Sequence, residues 1–125
     1  MLYLIAGREA VFLEYFVIRQ VATGFKFDLR AANGEVIATS EVYKTEAACR
    51  KGMESVRKNA VVAPVEDQTA GQRCANPKFE IYQDRSGQFR FRLRARNGAI
   101  IAVSENYRVK SSCLDTIAVV RACCE

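Results

Sequence analysis

Four arginines alternate along "RFRLRAR": Arg90, Arg92, Arg94 and Arg96. In an extended strand, side chains two apart share a face, so this spacing makes a cationic stripe suited to a phosphate backbone or an acidic protein. Lys26 and Arg30 fall at matching positions earlier in the chain. The alternative reading of the same stripe is a solvated sheet face, whose arginine stems cover apolar neighbours while Glu105 neutralises one end. A third is a partner or self-association interface, where arginine is favoured. Two Ser-Glu-x-Tyr strings, Ser40–Tyr43 and Ser104–Tyr107, have the residue types of a hydroxyl nucleophile. The chain contains no histidine, however, so nothing near neutral pH stands ready to activate a serine. A strand-to-helix corner, with Tyr as a lid on the core, suits these residues better. The expectation is no enzymatic activity, no catalytic residue, no cofactor and no metal.

The five cysteines are Cys49, Cys74, Cys113, Cys123 and Cys124. Their odd number and lack of CxxC spacing argue against a disulfide framework or a zinc site. Adjacent Cys123 and Cys124 are too close for an unstrained bridge. Mostly free thiols imply a reducing, cytoplasmic setting. Cys49 and Cys113 read as core residues, and Cys74, Cys123 and Cys124 as the thiols with any scope for reactivity. Arg8, Glu9 and Glu14 interrupt the apolar N-terminal stretch, so neither a leader nor a membrane span is expected. With 125 residues and a formal net charge of +5, the chain has the size of one domain and a mildly basic balance. That charge is compatible with nucleic acid, an acidic partner or plain solubility.

The elements that must position these residues occur twice. "FDLRAANGEVIATSE" (27–41) returns as "FRLRARNGAIIAVSE" (91–105), an offset of 64 that also aligns Tyr43 with Tyr107 and Cys49 with Cys113. Each copy reads strand, strand, strand, helix. Phe25, Phe27 and Leu29 alternate with Lys26, Asp28 and Arg30, a half-buried strand. Asn-Gly follows, read as a two-residue type I′ turn. That turn pairs Arg90 with Glu105, Arg92 with Val103, Arg94 with Ile101 and Arg96 with Ala99; in copy one it pairs Lys26 with Glu41 and Arg30 with Ile37. It places Ile37 and Ile101 outward, and Ser40, Ser104, Ala38 and Ala102 inward. After Tyr43 the period becomes helical. Thr45 is the expected N-cap, Cys49, Gly52, Met53, Val56 and Ala60 form the buried stripe, and Glu46–Arg50 and Glu54–Lys58 are the i,i+4 pairs. In copy two the stripe is Cys113, Ile117, Val120 and Cys124, with a helix start at Ser111 or Ser112. "VVAPV" (61–65) reads as an edge strand. The second copy has no equivalent strand.

"KFEIYQDRSGQFRFRLRARNGAIIAVSENY" and "FKFDLRAANGEVIATSEVYKTEAACRKGMESVRKNA" resemble the short repeat of the YegP-like family, a bacterial family of unknown function. The resemblance covers 16–65 and 78 to about 122. It implies a β3-α-β unit used twice, merged into one sheet with exchanged last strands, and carries no catalytic residues. The organisation expected is an N-terminal extension (1–15), repeat 1 (16–65), a linker (66–77) and repeat 2 (78–125) around one core. The fold class is α+β: a pseudo-twofold, antiparallel sheet with both helices on one face. "LYLIA" (2–6) either supplies the pairing that the absent strand would make or is a simple extension. Function is read as a non-enzymatic binding or structural module, with protein partner or self-association open. The alternative is a nucleic-acid-associated protein using the arginine face.

Overall fold

Phe27, Leu29, Phe79, Ile81, Phe91 and Leu93 alternate with polar neighbours along three strands, and all six are almost wholly buried. At about 1.5–3 kcal/mol for each fully buried large apolar side chain, they are the main force holding the sheet against its helices. The computed structural model describes residues 16–125. The strands are β1 (Phe16–Val21), β2 (Gly24–Arg30), β3 (Val36–Thr39), β4 (Val65–Asp67), β5 (Lys78–Gln83), β6 (Phe89–Arg94) and β7 (Ile100–Ser104). The helices are α1 (Glu46–Ala60), between β3 and β4, and α2 (Lys110–Cys124), after β7. The segment Leu2–Ala6, for which an edge-pairing role was expected, lies outside the described residues.

The strands form a seven-stranded sheet in the order β1-β2-β3-β7-β6-β5-β4. The two halves meet where β3 pairs with β7, Ala38 opposite Ser104 and Thr39 opposite Val103. The architecture is α+β, but the sheet is mixed rather than wholly antiparallel, because β4 runs parallel to β5. The linker after β4 returns the chain to the end from which β4 started, so β5 must run the same way. β4 begins after Pro64 and occupies the sheet edge, whereas Val61 and Val62, expected within this strand, are exposed at the end of α1. Helix α1 packs on β2 and also on β5, β6 and β7. The interior is therefore common to both halves.

The helices follow their expected stripes with local corrections. Thr45 caps α1, its Oγ1 accepting from Ala48 N–H at 3.1 Å. Cys49, Gly52, Val56 and Ala60 are buried, and Met53 is half-buried. Glu46 pairs with Arg50 as expected, but Glu54 pairs with Arg57 at i,i+3 rather than with Lys58. α2 starts at Lys110, earlier than expected, with Val109 at its N-cap and no side-chain cap. Its buried stripe ends on Cys123, with Cys124 half-buried. Tyr43 closes the core of the first half, its ring stacked on Phe27 at 6.4 Å and its hydroxyl against Gly52. No helix among the described residues is long and apolar enough to cross a membrane.

Both Asn-Gly corners are three-residue loops, not two-residue ones. Ala95 N–H donates to Ala99 O and Gly98 N–H to Ala95 O, with Gly98 at φ +88°. This is a type I turn closed by a left-handed glycine, the kind of loop that carries a bulge. The bulge shifts the register between Leu93 and Arg94, so Arg94 faces Ile100 while Arg92 keeps Val103. Copy one behaves alike, and Arg30 faces Val36 instead of Ile37. Ile37 and Ile101 are in consequence buried, and Ile100 is the residue left exposed.

Candidate binding surface

Arg90, Arg92 and Arg94 do share one face of β6, but β5 decides their chemistry. Asp84 N–H donates to Gln88 O and Gly87 N–H to Asp84 O, closing a short turn that places Glu80 opposite Arg92 and Tyr82 opposite Arg90. Glu80 is 3 % exposed and gathers three cations: Arg92 at 2.5 Å, Arg94 at 2.9 Å and Lys78 at 3.3 Å. Burial alone would raise the Glu80 pKa. Hydrogen bonds from Arg92 and Arg94 outweigh it and hold the carboxyl below its ordinary range. Arg92 also lies over the Tyr82 ring, 4.3 Å from its centroid. Arg90 donates to the carbonyl of Ser104. The stripe is thus a set of ligands to a buried carboxylate, with Arg90 outside that cluster.

Arg96 leaves the stripe. β6 ends at Arg94, and the loop turns Arg96 to the helix side, where it is exposed beside α1. The expected pairing with Ala99 on the sheet face fails because Ala95 and Ala99 close the loop. Arg30 sits in a separate cluster on β2. There the almost buried Asp28 accepts from Arg19 and Arg30, each at 3.0 Å, and from Thr39 Oγ1 at 3.1 Å. Burial pushes Asp28 up, and the bonds from Arg30, Arg19 and Thr39 bring it below the usual carboxylate range. Lys26 is half-buried and has no ion pair among the described residues. Beside this cluster an open depression of about 660 Å³ spans both halves, lined by Arg19, Asp28, Glu35, Ile37, Thr39 and Glu105.

Sequence reasoning missed two groups. Glu80 was legible in principle, since the Arg-Ser-Gly turn sets "FEIYQD" against "FRFRLR". Glu66 was not, because two of its ligands, Gln68 and Cys74, come from the linker and the third, Lys78, stands at the start of β5 where that linker ends. Fully buried, it accepts from Lys78 Nζ at 2.8 Å, Gln68 Nε2 at 2.8 Å and Cys74 N–H at 2.7 Å. Burial opposes ionisation there, but bonds from Lys78, Gln68 and Cys74 hold the carboxyl at about 2. Its neighbour Asp67 accepts from Lys110 at 2.7 Å, tying the linker to the start of α2.

The Ser-Glu-x-Tyr corners are mutual copies. Ser40 Oγ accepts from Phe27 N–H at 3.0 Å and donates to Glu41 O at 2.7 Å. Ser104 Oγ accepts from Phe91 N–H at 2.8 Å and donates to Glu105 O at 2.7 Å. Each hydroxyl substitutes for a backbone acceptor where the ladder ends. All five cysteines are free thiols. Cys49 and Cys113 are buried, and burial raises both, Cys113 to about 11. Cys74 is half-buried, with Sγ 3.7 Å from Val65 O. At the tail, Cys123 is pushed up by its hydrogen bond to Cys124 and by burial, and Cys124 is lowered by the same bond.

The comparisons agree with this architecture. The family model "Domain of unknown function (DUF1508)" matches twice, over residues 21–67 and 84–125. A UPF0339 protein of Photorhabdus laumondii is 42 % identical over 83 residues, 66 % of this chain and 61 % of the relative, so the match spans less than two thirds of that relative's length. The UPF0339 protein YegP of Escherichia coli K12 is 37 % identical over 98 residues, covering 78 % of this chain and 77 % of YegP. The solution NMR structure of YegP from E. coli, a protein of unknown function, superposes with a TM-score of 0.70 at 32 % identity, covering 88 % of this chain and 84 % of that one. Two matched segments, a shared overall fold and these identities lead to one assignment: the chain belongs to the YegP-like (DUF1508) family.

Proposed function

We propose that the protein is a non-enzymatic binding module, cytoplasmic and bacterial. The observation that carries this reading is the use made of its candidate catalytic groups. Both serine hydroxyls are consumed by backbone groups, and Glu66 and Glu80 are each saturated by cations and amides. Groups held this way keep one protonation state and one position, which suits recognition rather than proton transfer. Immobilised full-length protein should retrieve a defined ligand or partner from lysate. Time-dependent consumption of any metabolite by the pure protein in a broad metabolite screen would sink the reading.

The binding surface rests on a pseudo-twofold pair of mutually dependent halves. In support, the pairs at the β3–β7 junction, Ala38 with Ser104 and Thr39 with Val103, are centred on residues one repeat offset apart. β4, the last strand of the first repeat, pairs with β5 of the second, which fits an exchanged strand.

A second reading, association with nucleic acid through the sheet face, is favoured by Arg90, whose hydrogen bonds among the described residues go to the Ser104 carbonyl, and by Lys26, which lacks an ion pair among the described residues. Salt-dependent retention on a nucleic-acid column, lost in Lys26→Glu with Arg90→Gln, is its test. Retention unchanged by that pair rejects it.

A further inference from the structure

On the helix side of the sheet, α1 and the β6–β7 loop enclose a second open depression of about 610 Å³. Its lining contains Arg50, Lys51, Lys58 and Arg96 against a single acid, Glu54. Glu54 is held by Arg57 at 3.0 Å and Arg50 by Glu46 at 2.9 Å. Lys51, Lys58 and Arg96, all exposed, have no carboxylate in ion-pair range among the described residues. Asn97 uses Oδ1 to accept from Ala99 N–H at 3.0 Å, and its amide makes no hydrogen bond among the described residues.

The duplication supplies an internal control. Sixty-four residues on, Arg50, Lys51 and Lys58 become Leu114, Asp115 and Ala122, and the counterpart of Arg96 is Ala32. α2 forms the same fifteen-residue helix as α1 without a cation at any of these positions. The fold therefore does not require them, and their convergence from two halves of the chain needs another cause.

We infer that this groove binds a chain of phosphates. The inference rests on the binding-module reading and names its ligand class. Lys51 and Lys58 stand two turns apart on one face, about 10 Å along the axis, which suits an extended polyanion better than one small anion. Arg96 adds a planar fork that matches phosphate oxygens, and the Asn97 amide adds a neutral donor. The lining contains no aromatic ring to stack a base, so recognition runs through the phosphates without sequence preference. A nucleic-acid backbone and inorganic polyphosphate share this chemistry.

The test is fluorescence polarisation of a labelled oligothymidylate of about 20 nucleotides on the full-length protein, across a salt series. Inorganic polyphosphate and polyglutamate of matched charge serve as competitors. Binding should weaken as salt rises, and Lys51→Glu with Lys58→Glu should weaken it roughly tenfold or more while lowering the log–log salt slope by about 1.4. Both substitutions are exposed, and an unchanged melting temperature verifies that the variant is folded. Displacement by polyphosphate but not by polyglutamate supports phosphate recognition; direct binding of polyphosphate without the oligonucleotide assigns the source to free polyphosphate. An unchanged affinity in the groove variant overturns the inference. So does loss of binding in the Lys26→Glu, Arg90→Gln variant instead, which would leave the sheet-face reading standing. Failure of both phosphate probes to bind the unmodified protein overturns the groove alone, since a partner captured from lysate would still support a binding module.

Discussion

Glu66→Gln is the sharpest test of how the linker is held. The substitution keeps shape and one acceptor oxygen but leaves Lys78 facing a neutral amide. In the native protein the Glu66 carboxyl lies at about 2 against an ordinary 4.5. At ~1.4 kcal/mol for each tenfold step, that difference is worth roughly 3 kcal/mol of folding stability at neutral pH. Lys78 retains Glu80 at 3.3 Å and Cys74 O at 3.1 Å, which trims the expected loss to about 2–3 kcal/mol. For a chain of this size that loss lowers the melting temperature by roughly 6–12 °C. The sign with pH follows from the depressed value. The contribution is complete above the unfolded-state pKa and disappears as pH falls towards the folded one. Urea midpoints measured from pH 7 to pH 3 should show the gap between native protein and variant narrowing below pH 5, with roughly half or more gone by pH 3. Asp28, Asp67 and Glu80 are also held low, but they are present in both proteins, so the difference reports Glu66 together with the Lys78 that it shares with Glu80. A gap that stays constant across this range, or no gap at pH 7, refutes the assignment of Glu66 as an ionised anchor.

Ser104→Ala removes the acceptor for the buried Phe91 N–H and should cost about 1–3 kcal/mol in urea unfolding; no loss contradicts the role given to the hydroxyl. Gly52→Ala gains helix propensity, yet its methyl meets the Tyr43 hydroxyl, so a net loss of about 1–2 kcal/mol is expected. Tyr43→Phe in the same chain should return only part of it, because the ring carbon Cζ would still lie 2.7 Å from the methyl, and four melting curves forming a double-mutant cycle decide the point. The isolated segment 66–125 should show no cooperative melt by circular dichroism, because α1 covers β5, β6 and β7. A compact monomer that melts cooperatively removes the claim of mutual dependence.

Much of the architecture was legible because it depends on local period. Alternation in "FKFDLR", the change to a 3.6 period at Thr45 and the offset of 64 between phrases need no tertiary information. Loop geometry was less accessible. Asn-Gly is compatible with a two-residue turn and with a three-residue loop ending in a left-handed glycine, and the choice moves Ile37, Ile101 and Arg96 to new surroundings. The direction of β4 depended on where a loop without periodicity returns the chain. Glu66 illustrates the limit most clearly, since Gln68, Cys74 and Lys78 become its partners only through the path of that loop. The groove beside α1 was invisible for the same reason: Arg96 and Lys58 come to line one depression only when the halves interlock.

The two copies also show why counting charges along a strand misleads. Inward they agree: Phe27 with Phe91, Leu29 with Leu93, Ser40 with Ser104. Outward, each half buries a carboxylate beneath cations, but on different strands. Copy one places Asp28 on β2 and draws on Arg19 of β1. Copy two reverses the polarity, with Arg92 and Arg94 on β6 serving Glu80 of β5. A carboxylate this deep ionises only if several donors converge on it, so most arginines near it are committed before any ligand arrives. The cations in surplus are those that no carboxylate needs. By that criterion attention moves from the alternating arginines of β6 to Lys51, Lys58 and Arg96. The acidic, apolar residues at the corresponding places in the other copy show that this surplus belongs to one repeat and not to the fold.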